Sequence, residues 1–390
     1  MKNILYILAG LLLPLMAAGA NPDDLYSQYK SGEDILIGDL VVNKATYPEA
    51  VLVTPADLTF GHFSKGGLYF IDDKSGKGIS DLAAAPLGKY SAVATDSSPL
   101  IVIGRYKNEG KQTEIKVSEM RTRGDVAFMN VKLTATQAAG ESSPVFNMFA
   151  KNGNDHNSTA IRLQDCSVDN VAARNLVNDV QNPESAPYSK VVIDNCVIEL
   201  ASEKGTSVVA LIRSESADVQ EPTEFCISNS VIYAAAPAKY ATAIHTVKNN
   251  PGRVLVLKGN TFVNFGGCQG YIKHGVVASA HIEKNLAAIC INKPVDLGYD
   301  SAKFVYKTSE DQAKLVSAGN NFFSIYGESV FDSRPFEIGQ WELKTGKTDR
   351  VRRVDPFKAY SIETGYFPVN PDQVINGAGA SYDAKYFISK

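Results

Sequence analysis

The sequence predicts an all-β chain wound as a coil of short parallel strands, and three observations predict it. The first is a recurring six-residue motif: "FMNVKL" (Phe128–Leu133), "LQDCSV" (Leu163–Val168), "IDNCVI" (Ile193–Ile198), "ISNSVI" (Ile227–Ile232), "LKGNTF" (Leu257–Phe262), "IEKNLA" (Ile282–Ala287) and "SAGNNF" (Ser317–Phe322). The second is its spacing. First residues lie 35, 30, 34, 30, 25 and 35 apart, a fixed motif with variable intervals, which marks a repeat architecture whose insertions fall in loops. The third is periodicity. Val, Ile and Phe alternate with polar residues at period two, as in strands, and no long 3.6-period segment recurs, so helical repeats are excluded.

The motif reads as strand, corner, strand. Its third position is mostly Asn, Asp or Gly, the residues that best tolerate the left-handed backbone of a sharp corner. The fourth position runs Val131, Cys166, Cys196, Ser230, Asn260, Asn285, Asn320. If successive turns stack at the strand spacing of about 4.8 Å, these small or amide groups form an interior ladder. It should be continuous, because an unpaired buried amide costs about 1–3 kcal/mol. In "KVVIDNCVIEL" (Lys190–Leu200), Asn195 is then the corner, Cys196 a step of the ladder, and Val191, Ile193 and Ile198 core residues. The five cysteines are odd in number and lack C-x-x-C spacing, which argues against zinc or a redox motif. Cys166 and Cys196 are rung neighbours within disulfide reach, but stacked side-chain vectors seldom give the disulfide dihedral, so they read as buried thiols acting as small apolar groups.

The remaining segments follow in chain order. Residues 1–20 carry Lys2, the apolar run "ILYILAGLLLPLMAA" and an Ala18-Gly19-Ala20 cleavage site, the pattern of a secretory signal peptide. The run is short and broken by Pro14, which argues against a membrane span, so an exported protein with no transmembrane segment after cleavage is expected. Residues 21–123 are assigned to an N-terminal cap and first irregular rungs. Within them 22–34 is a candidate short amphipathic helix, and "EAVLVTP", "LTFGHF", "GGLYFIDD" and "PLIVIGRY" are candidate early rungs. Residues 124–335 hold the regular rungs, and 336–390 a C-terminal cap. Caps are needed because a coil exposes strand edges at its ends. The net charge of −3 with interspersed signs gives no basic tract for nucleic acid.

The seven motifs, "KGGLYFIDD" (Lys65–Asp73) and the tail elements Asp355-Pro356-Phe357, Gly365-Tyr366-Phe367 and Ala378-Gly379 together resemble the right-handed, single-stranded parallel β-helices of the pectin-lyase-like superfamily. More narrowly, they resemble secreted β-helix families of unassigned function common in gut Gram-negative bacteria. The ending "ASYD" departs from the charged ending usual after the Ala-Gly turn. The resemblance implies the fold and leaves function open, since β-helices host lyases, hydrolases, adhesins and inert stalks alike.

A further strand of each rung supplies the candidate site. Aligning "SPVFNMF", "VALIRSE", "ATAIHTV", "GYIKHGV", "KFVYKTS" and "SVFDSR" gives one column, Asn147, Arg213, His245, Lys273, Tyr306 and Asp332, with Arg174 a less clear member. On alternating strands these side chains point outward while the preceding apolar residue points in. Three potential cations beside a Tyr suit an anionic or hydroxyl-rich chain, so the expected partner is a polysaccharide or a host or cell-surface glycan, bound by an adhesin-like or glycan-utilisation accessory protein. The bland alternative is a solvated outer face. An enzymatic alternative is a polysaccharide lyase, in which Arg213 or Lys273 neutralises a uronate and takes its α-proton while His245 or Tyr306 serves as acid. A glycosidase needs two opposed carboxylates, for which Glu215 and Asp332 are candidates. A remote alternative is part of a secreted protease of the immunoglobulin A1 type. It rests on "GESSPVF" (Gly140–Phe146), a degraded nucleophile motif, and on His62 as the one upstream histidine. His156 and His281 form no H-x-H or H-E-x-x-H pattern, and no metal site or cofactor is expected.

Overall fold

The computed structural model describes residues 23–381 except 83–90, 94–97, 109, 123, 137–144, 149–159, 174, 180–188, 202–208, 215–222, 239–240, 247–249, 266–271, 275–276, 290–304, 308–313, 325–349, 353–355 and 375. The expected signal-peptide segment 1–20, His156, Arg174, Glu215, Cys268, Cys290 and Asp332 therefore lie outside the described residues, as does most of "GESSPVF".

The described strands assemble into three long parallel sheets of ten, ten and eight strands. One turn shows the rule. Lys190–Asp194 lies in the first sheet, Val197–Leu200 in the second and Val209–Ser214 in the third. The next strand, Glu224–Ser228, returns to the first sheet and pairs in parallel with Lys190–Asp194, setting Ile193 against Ile227. Neighbours within a sheet are thus strands of consecutive turns for most of its length, an arrangement compatible with a parallel β-helix.

All seven motif corners adopt the left-handed conformation: Asn130, Asp165, Asn195, Asn229, Gly259, Lys284 and Gly319 have φ between 46° and 66°. Lys284 is the exception in residue type, and it holds φ 52° against the steric cost of its Cβ, about 1 kcal/mol. The corner places the first- and second-sheet strands two residues apart and turns the fourth motif position inward. Val131, Cys166, Cys196, Ser230, Asn260, Asn285 and Asn320 are all fully buried. From Cys196 onward the ladder is continuous. Ser230 Oγ accepts from the Cys196 N–H at 3.0 Å, and Asn260 Oδ1 from the Ser230 N–H at 3.0 Å. Asn285 Oδ1 accepts from Asn260 N–H, and Asn320 Oδ1 from Asn285 N–H, at 3.0 and 2.9 Å. Each amide nitrogen also donates back to a first-sheet carbonyl, as Asn285 Nδ2 does to Leu257 O at 2.9 Å. Cys166 and Cys196 are free thiols, as is Cys226. Burial pushes the Cys196 thiol well up and that of Cys226, with help from Glu224 and Asp194, to about 11, so they are protonated packing groups.

Alternation then separates core from flank. In the first sheet Tyr69, Val102, Phe128, Leu163, Ile193, Ile227, Leu257 and Ile282 are successive register partners and all buried. Each burial of this kind is worth about 1.5–3 kcal/mol.

Two flanks are covered by residues 24–42 and by residues 356–380. Residues 22–34 contain the expected short helix, Leu25–Ser31, capped by the Asp24 carboxylate and stopped by Gly32 at φ 86°. Together with the hairpin Ile35–Ile37/Leu40–Val42 it packs on the outer face of the first sheet, burying Leu68, Phe70, Ile101, Ile103, Ala127 and Met129. Asp24 holds it there: its carboxylate takes Arg105 Nε and Nη2 at 3.0 and 2.8 Å. The hairpin tip is pinned by Asp39, which bonds Arg162 at 2.6 Å and Lys190 at 2.7 Å.

"LTFGHF" is not a rung. It enters the helix Phe60–Lys65, because Thr59 N–H is satisfied by His62 Nδ1 at 3.1 Å and Phe63 is buried in the interior core beside Phe128. The described part of the C-terminal segment, from residue 356, lies along the outer face of the second sheet. Phe357, Phe367, Val374, Ala378 and Ala380 bury Val197, Val231, Tyr233, Val263, Leu286 and Ala288. Among the described residues no helix is long and apolar enough to cross a membrane.

Candidate functional site

The third sheet carries the column read from the sequence. Phe146, Val177, Ile212 and Ile244 pair in register and are fully buried. The residue after each therefore faces away from the core. Those residues are also register partners: Asn147 with Asn178, Asn178 with Arg213, Arg213 with His245, His245 with Lys273, and Lys273 with Tyr306. Five of the six residues chosen from sequence thus fall on one line, one per rung, and Asp332 lies outside the described residues.

Sequence reasoning missed two members. Asn178 fills the rung that had been offered to Arg174, and Arg121 precedes Asn147 in the column. The missed signal was the apolar-polar step Val177-Asn178 in "NLVND", which pairs Val177 with Phe146 and Ile212 and so sets Asn178 in the column.

The line is not uniformly open. Asn147 and Arg213 are half-buried, whereas Asn178 and His245 are 9% and 5% exposed. Asn147 Nδ2 donates to Glu119 Oε1 at 2.8 Å, and Glu119 is itself buried, so the Asn147 amide is held in place. Asn175, at the start of its strand, accepts the Ala210 N–H of the next rung at 3.1 Å, which fixes the spacing between the rungs of Asn178 and Arg213. The arrangement offers polar and cationic groups at one-rung intervals along the coil axis. Such a line suits a linear ligand lying parallel to that axis.

The other singled-out residues sit elsewhere. His62 is engaged at the start of its helix by Thr59, and its ring packs edge-on to Tyr69 at 5.2 Å. His281 lies in a first-sheet strand, in register with Val256. Comparison with protein-family models, with curated proteins and with solved structures finds no match.

Proposed function

We propose that the chain is an exported, single-stranded right-handed parallel β-helix protein that binds a polysaccharide or cell-surface glycan along the third-sheet row, in an adhesin-like or glycan-utilisation accessory role. One observation carries the reading: Asn147, Arg213, His245, Lys273 and Tyr306 occupy consecutive register positions with Asn178 among them. The strand order, rotating through three sheets, supports one chain winding once per rung. The strong preference of parallel crossovers for one hand supports the right-handed coil. The N-terminal apolar segment before Asn21 supports export.

Single exposed charge contacts are worth about 0.2–1 kcal/mol, so a row gains affinity by repetition along a polymer. Arg213 and Lys273, two rungs apart with His245 between them, favour a chain bearing carboxylates at intervals. The test is a glycan array enriched in uronate polysaccharides, with the Arg213→Ala/Lys273→Ala double variant alongside. Retention of an anionic glycan by the wild type, at least tenfold weaker in the variant, is expected. Equal binding by both proteins would remove the row from the account. Ultraviolet absorbance from unsaturated uronate products in the same incubations would replace binding by lyase activity.

A further inference from the structure

The flank of the second sheet changes character along its length. Under the C-terminal segment it is apolar. Where that segment leaves off, the same outward positions become polar. One column reads Glu114, Lys132, Ser167 in successive register before reaching Val197, and its neighbour reads Thr134, Asp169, Glu199, Tyr233. Apart from Thr134, which bonds Glu114 from beside it, this polar stretch is the floor of a groove of about 420 Å³, within the range of small-molecule sites. The turns at Gly76–Gly78 and Gly110–Gln112 form one wall, and Glu363 and Thr364 form the other. The second wall is firmly seated, since a Cβ on Gly365 would lie 2.7 Å from the Tyr233 ring and 2.9 Å from Val197.

We propose that this groove is a second saccharide site, independent of the third-sheet row, and that it takes a neutral, hydroxyl-rich sugar in preference to an anionic one. Donors and acceptors interleave on its floor. Lys132 Nζ lies 3.9 Å from Glu114 Oε1, the Thr134 hydroxyl donates to the same Oε1 at 2.6 Å, and the Tyr233 hydroxyl donates to Glu199 Oε2 at 3.0 Å. Neighbouring sugar hydroxyls can accept from the ammonium and donate to carboxylate oxygens at once, an exchange that a fixed mixed-charge floor supplies without reorganisation. A uronate or sulfate would meet four carboxylates in the lining, Glu114, Asp169, Glu199 and Glu363, against three ammonium groups, Lys77, Lys111 and Lys132. Burial, reinforced by Asp169 and opposed by Tyr233 and Lys132, raises the Glu199 carboxyl above the usual range, which adds a donor to the floor as pH falls. The row and the groove therefore select differently charged ligands, anionic for the row and neutral for the groove.

The test titrates the full chain with cello-, manno-, xylo- and malto-tetraose and with tetragalacturonate, by calorimetry. Binding of at least one neutral tetraose is expected, at least tenfold weaker in Lys132→Ala and in the near-isosteric Asp169→Asn, and unchanged in Arg213→Ala. Lys132 is 43% exposed, so an unchanged thermal midpoint will show that Lys132→Ala is folded. The proposal is overturned if no neutral tetraose binds, if the groove variants bind as the wild type does, or if only Arg213→Ala weakens binding. Loss of the row's anionic-glycan binding would leave these outcomes untouched, so the two sites fail separately.

Discussion

At the scale of single residues, the ladder asparagines carry more than their size implies. Asn285 accepts from the Asn260 backbone and side-chain amides, and donates to Leu257 O and Asn320 Oδ1. It is fully buried, so no water replaces it. Asn285→Ala strands buried donors on Asn260 and a carbonyl at Leu257, and should lower unfolding stability by about 3 kcal/mol in urea denaturation. A change below about 1 kcal/mol would mean that the ladder is dispensable. A second ladder runs outside the first, where the corner side chains bond each other: Asn229 Nδ2 to Asn195 Oδ1 at 3.1 Å, and Asn195 Nδ2 to Asp165 Oδ1 at 2.6 Å. The interior ladder was legible in the sequence because only a few residue types tolerate a left-handed corner or fit behind it. The exterior one was not, because Asn and Asp at a corner are explained by backbone conformation alone.

At the scale of elements, two segments are held against flanks by identifiable contacts, and each contact can be broken. Gly365 has φ 67° and no room for a Cβ against Tyr233 and Val197. Gly365→Ala should cost about 2 kcal/mol in overpacking and backbone strain, and loosen the C-terminal segment first. Hydrogen exchange should show faster exchange across 357–380 with the inner strands unchanged. At the other end, Asp24 is held by Arg105 and Ser27. Burial alone would raise its carboxyl, but the Arg105 hydrogen bonds, followed by those from Ser27, outweigh it and push it down to about 2. Its folded value is below its unfolded one, so its contribution is complete above about pH 4 and lost as pH falls toward 2. The amount is about 2 kcal/mol. Wild type should exceed Asp24→Asn in stability at pH 6 and converge on it near pH 2. A gap that is constant across that range would place the stabilisation elsewhere. The N-terminal helix was readable from its acidic start. The helix Phe60–Lys65 was not, because six residues give too little periodicity, and "LTFGHF" alternates like a strand. The second-sheet groove was also invisible, because its walls come from turns near residues 77 and 111 and from Glu363–Thr364, far apart in sequence.

At the scale of the whole molecule, the parallel register of the three sheets converts a repeat in sequence into lines of residues in space. The third-sheet row was legible because each of its strands sets a polar residue directly after an apolar one. Its partial covering was not, since Asn178 and His245 are buried although each follows a core residue. From Asn147 to Tyr306 the row crosses five rung steps, or about 24 Å at the strand spacing. This length gives the most direct test of the central claim. Dissociation constants should be measured for a uronate oligomer series of increasing length at one low ionic strength. Affinity should rise with each added sugar until the oligomer spans about 24 Å, and then level off. Equal affinity for the shortest and longest oligomers, or no binding at any length, would contradict a glycan site built along the row.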